Sequence, residues 1–489
     1  MLDRIFKLGK EAAIYGLSSI VGRFLNFLLV PLYTNYLATA EYGVVANTYA
    51  YIAFAGVIYG YGMDSAYMRF VASLEKWDKK QAVSVPLVSL TATSLLFSFA
   101  LYISAPLLAD LLGIEHAEYV RYSAGILFFD TMMIVPFAYL RMENRARMFA
   151  GMRILSIVIT IILTVIFLVV LHMKAETVFI AGLIASGITA ITLLVIVRKE
   201  FTVHFSTPLY REMLRFGLPY IPAGLAGIAI QVIDRPILKA LTDNDTVGIY
   251  QANYRLGVLM MLVVGMFDYA WRPFFLTHAK DEDAPKLFSK VFTYFVSAMM
   301  FVFVAVTLFI DDLVRIPIFG RHFIGSNYWG GLDIVPIVLL SYVFTGAYVN
   351  FVVGVYLEKK TKYLPLATGA GAVVNVIANL LLIPRLGMTG AAVATLLSYV
   401  VMAVGIYFPS QRFYHVRYEW SRLARVFVLG ISIVLVFLAM DLQPMSGTAL
   451  LIKLGLTALF VTLVFVLRVF DNADIRETKT ALLKMFGRS

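Results

Sequence analysis

Long runs of hydrophobic residues recur along the whole chain, and each run ends in a short charged or turn-rich segment. A helix needs about 20 apolar residues to cross a bilayer, and these runs reach that length. They lack the polar–apolar alternation of a membrane β-barrel strand, so an all-helical polytopic membrane protein is predicted. We expect about fourteen spans, at 12–37, 43–68, 83–112, 119–140, 153–173, 177–197, 213–240, 247–271, 288–311, 331–357, 363–383, 388–409, 423–440 and 446–470.

The composition agrees with this pattern. Hydrophobic residues make up 61% of the 489 residues and charged residues 15%, whereas a soluble domain averages about 45–50% apolar and about 25% charged. No connecting segment is long enough for a soluble catalytic domain. The chain has no Walker-type phosphate loop and no closely spaced metal-binding motif, so we expect no enzymatic activity, metal site or cofactor. The chain has no cysteine, which excludes disulfides.

The basic residues predict the orientation of the spans. Loops on the N-terminal side of the membrane carry about 31 of the 41 Lys and Arg residues, and loops on the other side carry about five. This asymmetry predicts that both termini lie in the cytoplasm. The net charge of +11 is therefore mostly a topology signal. It indicates contact with anionic lipid and not with nucleic acid.

The chain repeats itself at an offset of 205 residues. Six identical pairs coincide at this offset: Tyr15 with Tyr220, Gly22 with Gly227, Pro31 with Pro236, Gly43 with Gly248, Tyr49 with Tyr254 and Gly60 with Gly265. The offset spans six helices, so both copies should enter the membrane in the same direction, related by an axis along its normal. We expect an N-terminal lobe at 1–200, a C-terminal lobe at 201–410, and two further helices with a cytoplasmic tail at 411–489.

Three stretches carry a resemblance to a known family. They read RFLNFLLVPLYTNYLATAEYGVVANTYAY, FGLPYIPAGLAGIAIQVIDRPILKALTDNDTVGIYQANYRLG and EKKTKYLPLATGAGAVVNVIANLLLIPRLGMTGAAVATLLSYV. The chain resembles the polysaccharide-transport branch of the multidrug/oligosaccharidyl-lipid/polysaccharide exporter superfamily, which includes bacterial O-antigen and capsule-unit flippases. The resemblance runs from the first helix to residue 409.

This resemblance implies two six-helix lobes around a central cavity. It also implies that the chain flips an undecaprenyl-pyrophosphate-linked oligosaccharide across the bacterial inner membrane by alternating access, for assembly of lipopolysaccharide O-antigen or exopolysaccharide. The implied partners are the lipid-linked oligosaccharide, membrane lipid, and the polysaccharide polymerase and chain-length machinery.

Polar residues within the spans are the candidates for substrate binding, because a charge in the bilayer normally faces protein or a water-filled cavity. Arg23 and Arg255 are candidates to hold phosphate, since a guanidinium offers a fork of donors. The structural alternatives are snorkelling of Arg23 to the interface and an ion pair of Arg255 with a carboxylate, Asp234 or Asp268. Candidate sugar contacts are Asn26, Gln251, Asn253 and Tyr49.

The segment around Pro236 is a candidate gate or ion-coupling site. Asp234 and Arg235 point about 100° apart on a helix, so we expect them to pair poorly with each other. Lys239 lies one turn beyond Arg235, and Pro236 should kink the helix and free a carbonyl. Two interpretations stay open: Asp234 is the acceptor of a coupling H+ or Na+, or salt bridges between the lobes hold the kink.

Three further carboxylates are candidates for gating or ion coupling. Asp130 lacks a cation nearby in sequence, which suggests a proton carrier; the alternative is a carboxylate hydrogen-bonded to hydroxyls. Asp64 and Asp268 precede Arg69 and Arg272 by about one turn. They are therefore either coupling groups or ordinary partners of these arginines at the cytoplasmic rim.

Three other functions stay open. A multidrug antiporter of the same superfamily would favour an anionic or aromatic cavity. A membrane-embedded glycan polymerase or ligase would need catalytic residues in an external loop, and the segment 312–330 and its flank carry Asp311, Asp312, Arg321 and His322. The third possibility is a scaffold for envelope assembly.

Overall fold

The computed structural model of the chain describes residues 20–22, 24–72, 78–202, 204–318, 320–440 and 442–470. Residues 20–22 and 24–27 are helical. Eight further α-helices follow up to residue 200: α1 Leu29–Tyr36, α2 Thr39–Gly60, α3 Met63–Ala72, α4 Lys79–Ile103, α5 Ala105–Leu112, α6 Ala117–Met142, α7 Ala146–Val165 and α8 Glu176–Val197. A π-helical turn at Ile166–Val170 extends α7, and a 3-10 turn at Arg198–Glu200 extends α8.

Helices joined by short connections also make up the rest of the described chain, together with one short hairpin, β1 Pro317–Ile318 and β2 Arg321–His322, which pair antiparallel. A 3-10 segment, Ser326–Ile334, follows the hairpin. The helices are α9 Thr207–Gly217, α10 Tyr220–Val232, α11 Asp234–Leu241, α12 Asn244–Leu256, α13 Val258–His278, α14 Ala284–Arg315, α15 Val335–Phe351, α16 Val353–Leu357, α17 Tyr363–Phe413, α18 Trp420–Leu438 and α19 Gly447–Val466.

Within the described residues, eleven helical stretches are long and apolar enough to cross a membrane, or twelve when the bent pair α9–α10 counts as one. The stretch α17 contains two predicted spans. As a straight helix its 51 residues would exceed twice the hydrocarbon thickness. The chain instead turns back at Gly387, whose φ of 56° and ψ of −133° are not helical. A Cβ on Gly390 would lie 2.5 Å from the Leu382 carbonyl oxygen, so the two arms touch beside the turn.

The helices therefore match the predicted spans from the second to the last. Much of the first predicted span lies outside the described residues. The all-helical polytopic class is confirmed, whereas the cytoplasmic position of the termini stays a prediction.

The two halves of the chain meet where α2 crosses α12. These helices are repeat mates, since their first residues, Thr39 and Asn244, differ by the same offset as Gly43 and Gly248. A Cβ on Gly43 would lie 1.8 Å from the Asn244 carbonyl oxygen, and a Cβ on Gly248 would lie 1.9 Å from the Thr39 carbonyl oxygen. This reciprocal contact is the one that a two-fold axis between the glycines produces. Only glycine permits so close an approach of two helices.

Polar contacts close the same end of the molecule, which the predicted topology places outside the cell. Thr39 Oγ1 donates to Asp245 Oδ1, and Asn244 Nδ2 donates to Glu115 Oε1 at 3.0 Å. The cavity between the halves is therefore sealed at this end in the conformation seen here.

The β-hairpin adds to this seal. Arg321 Nη1 donates to the carbonyl of Asn35 at 2.7 Å, and Asn35 Nδ2 donates to the carbonyl of His322 at 2.8 Å. Tyr328 OH also donates to the carbonyl of Leu37 at 3.0 Å. Hydrogen bonds of Arg321, His322 and Tyr328 thus join the second half of the chain to the outer end of α1.

The last two helices attach to α14. Lys453 of α19 is buried, and its Nζ donates to Asp312 Oδ2 near the end of α14. The backbone N–H of Met445 donates to the other oxygen of Asp312 at 2.7 Å. The charge of Lys453 within a span is therefore neutralised by a carboxylate.

Candidate functional site

A cavity of about 890 Å³ lies between the two halves, within the range of about 300–1,000 Å³ typical of small-molecule sites. Helices α1, α2, α6, α7 and α8 line one wall, and α10 to α13, α15 and α17 line the other. Its lining is rich in tyrosine: Tyr33, Tyr42, Tyr49, Tyr254, Tyr269, Tyr342, Tyr348 and Tyr399. Tyrosine rings can stack on sugar rings while their hydroxyls bond to sugar hydroxyls.

The repeat places equivalent residues on both walls. Asn26 and its mate Gln231 both line the cavity, as do Tyr49 and its mate Tyr254. These positions present a similar amide and aromatic surface from each half.

The two walls differ in polarity at three other pairs of mates, and in charge at two of them. Arg235, Gln251 and Arg255 line the cavity in the second half. Their mates in the first half also line it, but they are Val30, Ala46 and Ala50. The cationic and amide groups at these positions therefore belong to the second half alone.

Arg255 lies in the last turn of α12, and its side chain is exposed to the cavity. Among the described residues it forms no ion pair or hydrogen bond through its side chain. The two carboxylates named as possible partners pair elsewhere: Asp268 with Arg272 at 2.8 Å, and Asp234 with Arg235 at 2.6 Å. The guanidinium of Arg255 is thus free to offer its donors to a bound anion.

The expectation that Asp234 and Arg235 pair poorly is wrong. Both are buried, and Arg235 Nη1 lies 2.6 Å from Asp234 Oδ1. The separation of about 100° around a helix applies to Cβ directions, but the long arginine side chain curves back along the helix at the break before α11. The backbone N–H of Arg235 also donates to Asp234 Oδ1, at 3.0 Å.

The helix is interrupted at Ile233, between α10 and α11 and about one turn before Pro236. Pro236 supplies no backbone donor, and the N–H of Arg235 turns to the Asp234 carboxylate. The carbonyl of Gln231 is thereby freed from its helical bond. Arg235 Nη1 donates to this carbonyl, so the side chain repairs the break.

Helix α12 supplies the remaining contacts of this ion pair. Tyr250 OH donates to Asp234 Oδ2 at 2.5 Å, and Arg235 Nε donates to Gln251 Oε1 at 3.0 Å. The Arg235 guanidinium also lies 4.3 Å from the ring centroid of Tyr254, a cation–π distance. Sequence reasoning missed Tyr250, because nothing in the spacing of a tyrosine identifies its partner on another helix.

Asp130 is exposed to the cavity on the opposite wall. Ser186 Oγ of α8 donates to Asp130 Oδ1 at 2.6 Å, which is the bond to a hydroxyl that the structural alternative predicts. Within the described part of the chain Asp130 forms no ion pair.

Four of the predicted site residues that the structure describes do not line the cavity, and one of them is Asp234, which is buried at the α10–α11 break. Asn253 is fully buried away from the cavity lining, and its Nδ2 donates to the carbonyl of Tyr328 at 2.8 Å. Asp64 on α3 and Lys239 on α11 are half-buried and also do not line the cavity. Arg23 lies outside the described residues.

Charged groups of both signs line the described part of the cavity. They are Asp130, Arg235, Arg255 and Asp268. Arg235 and Asp268 have partners of opposite charge, so Arg255 and Asp130 are the charges available to a ligand.

The charged residues near the outer hairpin do not converge on a site. Asp311 pairs with Arg315 at 2.8 Å and Asp312 with Lys453. Arg321 bonds to the Asn35 carbonyl. These separate partners give no support to catalysis in this segment.

The family described as "Polysaccharide biosynthesis protein" matches residues 8–278, which is more than half of the chain. The chain belongs to this family. It is 23% identical over 273 residues to the probable low-salt glycan biosynthesis flippase Agl15 of Haloferax volcanii. That alignment covers 55% of this chain and 56% of Agl15, so the chain spans about half the length of the curated relative it matches.

Solved structures share the fold of this family member. The lipid II flippase MurJ, in an inward closed conformation, has a TM-score of 0.72 at 15% identity, over 92% of this chain and 98% of MurJ. An inward-facing multidrug resistance MATE family transporter of the MOP superfamily has a TM-score of 0.61 at 15% identity, over 80% and 94%. A MOP superfamily transporter from Pyrococcus furiosus has a TM-score of 0.57 at 15% identity, over 85% and 96%.

Proposed function

We propose that this protein is a flippase that moves a lipid-linked oligosaccharide between membrane leaflets by alternating access. The observation that carries the proposal is Arg255, a cation exposed in the central cavity with its side-chain donors free among the described residues. Membership of the polysaccharide biosynthesis protein family and similarity to a glycan flippase support it. In this proposal the protein carries cargo and performs no catalysis.

The headgroup binds between the two walls of the cavity. Arg255 holds a phosphate oxygen of the lipid carrier, because a guanidinium matches phosphate geometry. The amides of Asn26 and Gln231 and the ring of Tyr49 contact the sugars. Gln251 acts indirectly, since its side chain holds Arg235 in place. Arg23 would add a second cation from the first half.

Asp130 and Asp234 are the proposed sites of ion coupling, with H+ or Na+ as the ion. Asp130 is exposed to the cavity and bonded only through one oxygen among the described residues, so it can exchange a proton with the cavity water. Asp234 is buried in the bonds at the α10–α11 break, so a change in its charge would loosen that break.

The carrier in this proposal is an undecaprenyl-pyrophosphate type of lipid in a bacterial inner membrane. The product would enter assembly of a surface polysaccharide such as O-antigen or exopolysaccharide. Polymerase and chain-length proteins would then act on the flipped unit.

Flipping of a polyprenyl-pyrophosphate oligosaccharide in proteoliposomes tests the proposal. A glycosidase added outside cleaves headgroups that reach the outer leaflet. We expect Arg255→Ala to lower the flipping rate about 10- to 100-fold, because it removes a charge-assisted contact of about 1.5–3 kcal/mol. Leu451→Ala, at a lipid-exposed position of α19, is the matched control and should flip normally. Normal flipping by Arg255→Ala would exclude this residue as the phosphate site.

A multidrug antiporter is the second candidate function. The exposed carboxylate of Asp130 and the tyrosine-rich lining suit a cationic aromatic drug, and MATE transporters share the fold. Export of a cationic dye from the same vesicles, without flipping of the glycolipid, would favour this function over the first.

A further inference from the structure

Helix α4 in the first half and helix α14 in the second half are repeat mates. Their first residues, Lys79 and Ala284, are separated by the same offset as Gly43 and Gly248. The surface of α4 can therefore be compared with that of α14, residue by residue.

One face of α14 is covered by α18. We call this face the α14 seam. Its residues are spaced alternately four and three positions apart, as in a coiled coil. All of them are buried: Thr293, Ser297, Met300, Val304 and Thr307. A Cβ on Gly430 of α18 would lie 2.5 Å from Met300 Cε, so the two helices are in direct contact. Thr293 Oγ1 donates to Glu419 Oε2, beside the first residue of α18, at 2.7 Å.

The mates of these five residues form the α4 seam: Val88, Ala92, Leu95, Phe99 and Tyr102. All five are exposed; Leu95 is 58% exposed and Phe99 61%. Exposure by itself is ordinary in a membrane, because lipid tails are as apolar as these side chains. The informative observation is the difference between the two repeats: helix α18 covers the α14 seam, whereas no helix among the described residues covers the α4 seam.

The α4 seam borders a groove of about 500 Å³. Leu87, Val88, Ala92 and Leu95 of α4 form one side, and Leu194 of α8 lies on the other. Arg198 lines the end of the groove, which the predicted topology places at the cytoplasmic surface. Among the described residues the side chain of Arg198 has no ion pair or hydrogen bond, so the groove lacks a carboxylate where the α14 seam has Glu419.

We propose that the α4 seam is the docking site for a membrane-spanning helix of another polypeptide. The partner helix is apolar, carries a small residue opposite Leu95, as Gly430 does opposite Met300, and has a carboxylate at its cytoplasmic end that pairs with Arg198. Small residues are what allow close helix packing within lipid. This inference does not depend on the cargo of the cavity.

The absence of cysteine in the chain permits a direct cross-linking test. The probe is a synthetic peptide of residues 418–440 of this chain, the segment that fits the α14 seam, with Gly430→Cys. The full-length chain with Leu95→Cys is placed in phosphatidylcholine nanodiscs with this peptide and an oxidant. We expect about tenfold more disulfide than with Leu96→Cys, whose position is equally lipid-exposed but lies off the seam.

Two further variants test the fit and the charge. Ala92→Trp fills the groove one turn away from the cysteine at position 95 and should abolish the cross-link. Arg198→Glu should lower it about two- to fivefold, and a peptide with Glu419→Arg should restore it. Equal cross-linking at positions 95 and 96, or no effect of Ala92→Trp, would overturn the proposal. So would the absence of any peptide cross-link while phosphatidylglycerol binds in an Arg198-dependent manner, because the groove would then be a lipid site.

Discussion

The Asp234 carboxylate joins two helices of the cavity wall: one oxygen lies 2.6 Å from Arg235 Nη1, and the other accepts a hydrogen bond from Tyr250 OH at 2.5 Å. Asp234 is 1% exposed and Arg235 5% exposed, so each charge depends on its partner. Removing one partner of a buried pair costs about 3–5 kcal/mol, because the other charge is left buried.

We therefore expect Asp234→Ala to lower the thermal unfolding temperature in nanodiscs strongly. The double variant Asp234→Ala/Arg235→Met should recover much of that loss, since it leaves no unpaired charge. Tyr250→Phe, which removes one hydrogen bond, is the mild comparison. Equal unfolding temperatures of Asp234→Ala and the wild type would show that the pair does not stabilise this conformation.

The close contact at Gly43 suggests a substitution that would open the closed outer end of the cavity. A Cβ at this position would lie 1.8 Å from the Asn244 carbonyl oxygen, a backbone atom that cannot move aside alone. We expect Gly43→Ala to separate the outer ends of α2 and α12, with a longer distance between spin labels on them. Gly56→Ala is the control on the same helix, because no atom outside the adjoining turns of that helix lies within 4 Å of its Cβ position. Unchanged distances in Gly43→Ala would contradict the role given to this contact.

The bond between Lys453 and Asp312 predicts an asymmetry between two single variants. Lys453 is 1% exposed, whereas the Asp312 side chain is 17% exposed and also accepts from the Met445 N–H. Asp312→Ala leaves a buried cation without a partner, so it should destabilise the protein more than Lys453→Met does. Thermal unfolding of the two variants compares them, and the opposite order would contradict the cost assigned to the unpaired buried cation.

Glycine and proline are the residues whose structural effect could be predicted from the sequence. The repeat pairs Gly43 with Gly248, and these residues form the reciprocal contact between the halves. The helix is interrupted about one turn before Pro236. Both effects act through the backbone, which sequence pattern describes well.

The direction and partners of polar side chains were harder to predict. Arg255 reached the cavity as expected, but Asn253, two residues earlier, faces the 3-10 segment at Tyr328. In spans that are apolar on every side, periodicity does not say which face meets the cavity. The partner of Asp130 came from another helix, so only the packing of helices could identify Ser186.

Asp243 predicts a small dependence of stability on pH at the start of α12. It caps this helix by accepting a hydrogen bond from the Thr246 backbone N–H at 2.7 Å, and this bond lowers the pKa of the Asp243 carboxyl. A lowered pKa gives stability that is fully present above the ordinary value of about 3.9 and lost as pH falls through the folded value. Asp243→Ala should cost about 0.5–2 kcal/mol in unfolding at neutral pH, and its difference from the wild type should shrink in acid. A difference that is constant with pH would contradict this account.

Variants of Asp130 test whether flipping is coupled to protons or is passive. If its carboxylate exchanges the coupling proton, flipping by the wild type should rise when a pH gradient is imposed on the proteoliposomes. Asp130→Asn keeps the size of the side chain but cannot gain or lose a proton at this position. The flipping rate of this variant should therefore be the same with and without the pH gradient. Ser186→Ala removes only the hydrogen bond to Asp130 and should keep a gradient response, at a lower rate. A gradient response that survives in Asp130→Asn would place proton exchange at another group, and the buried carboxylate of Asp234 would be the next to test.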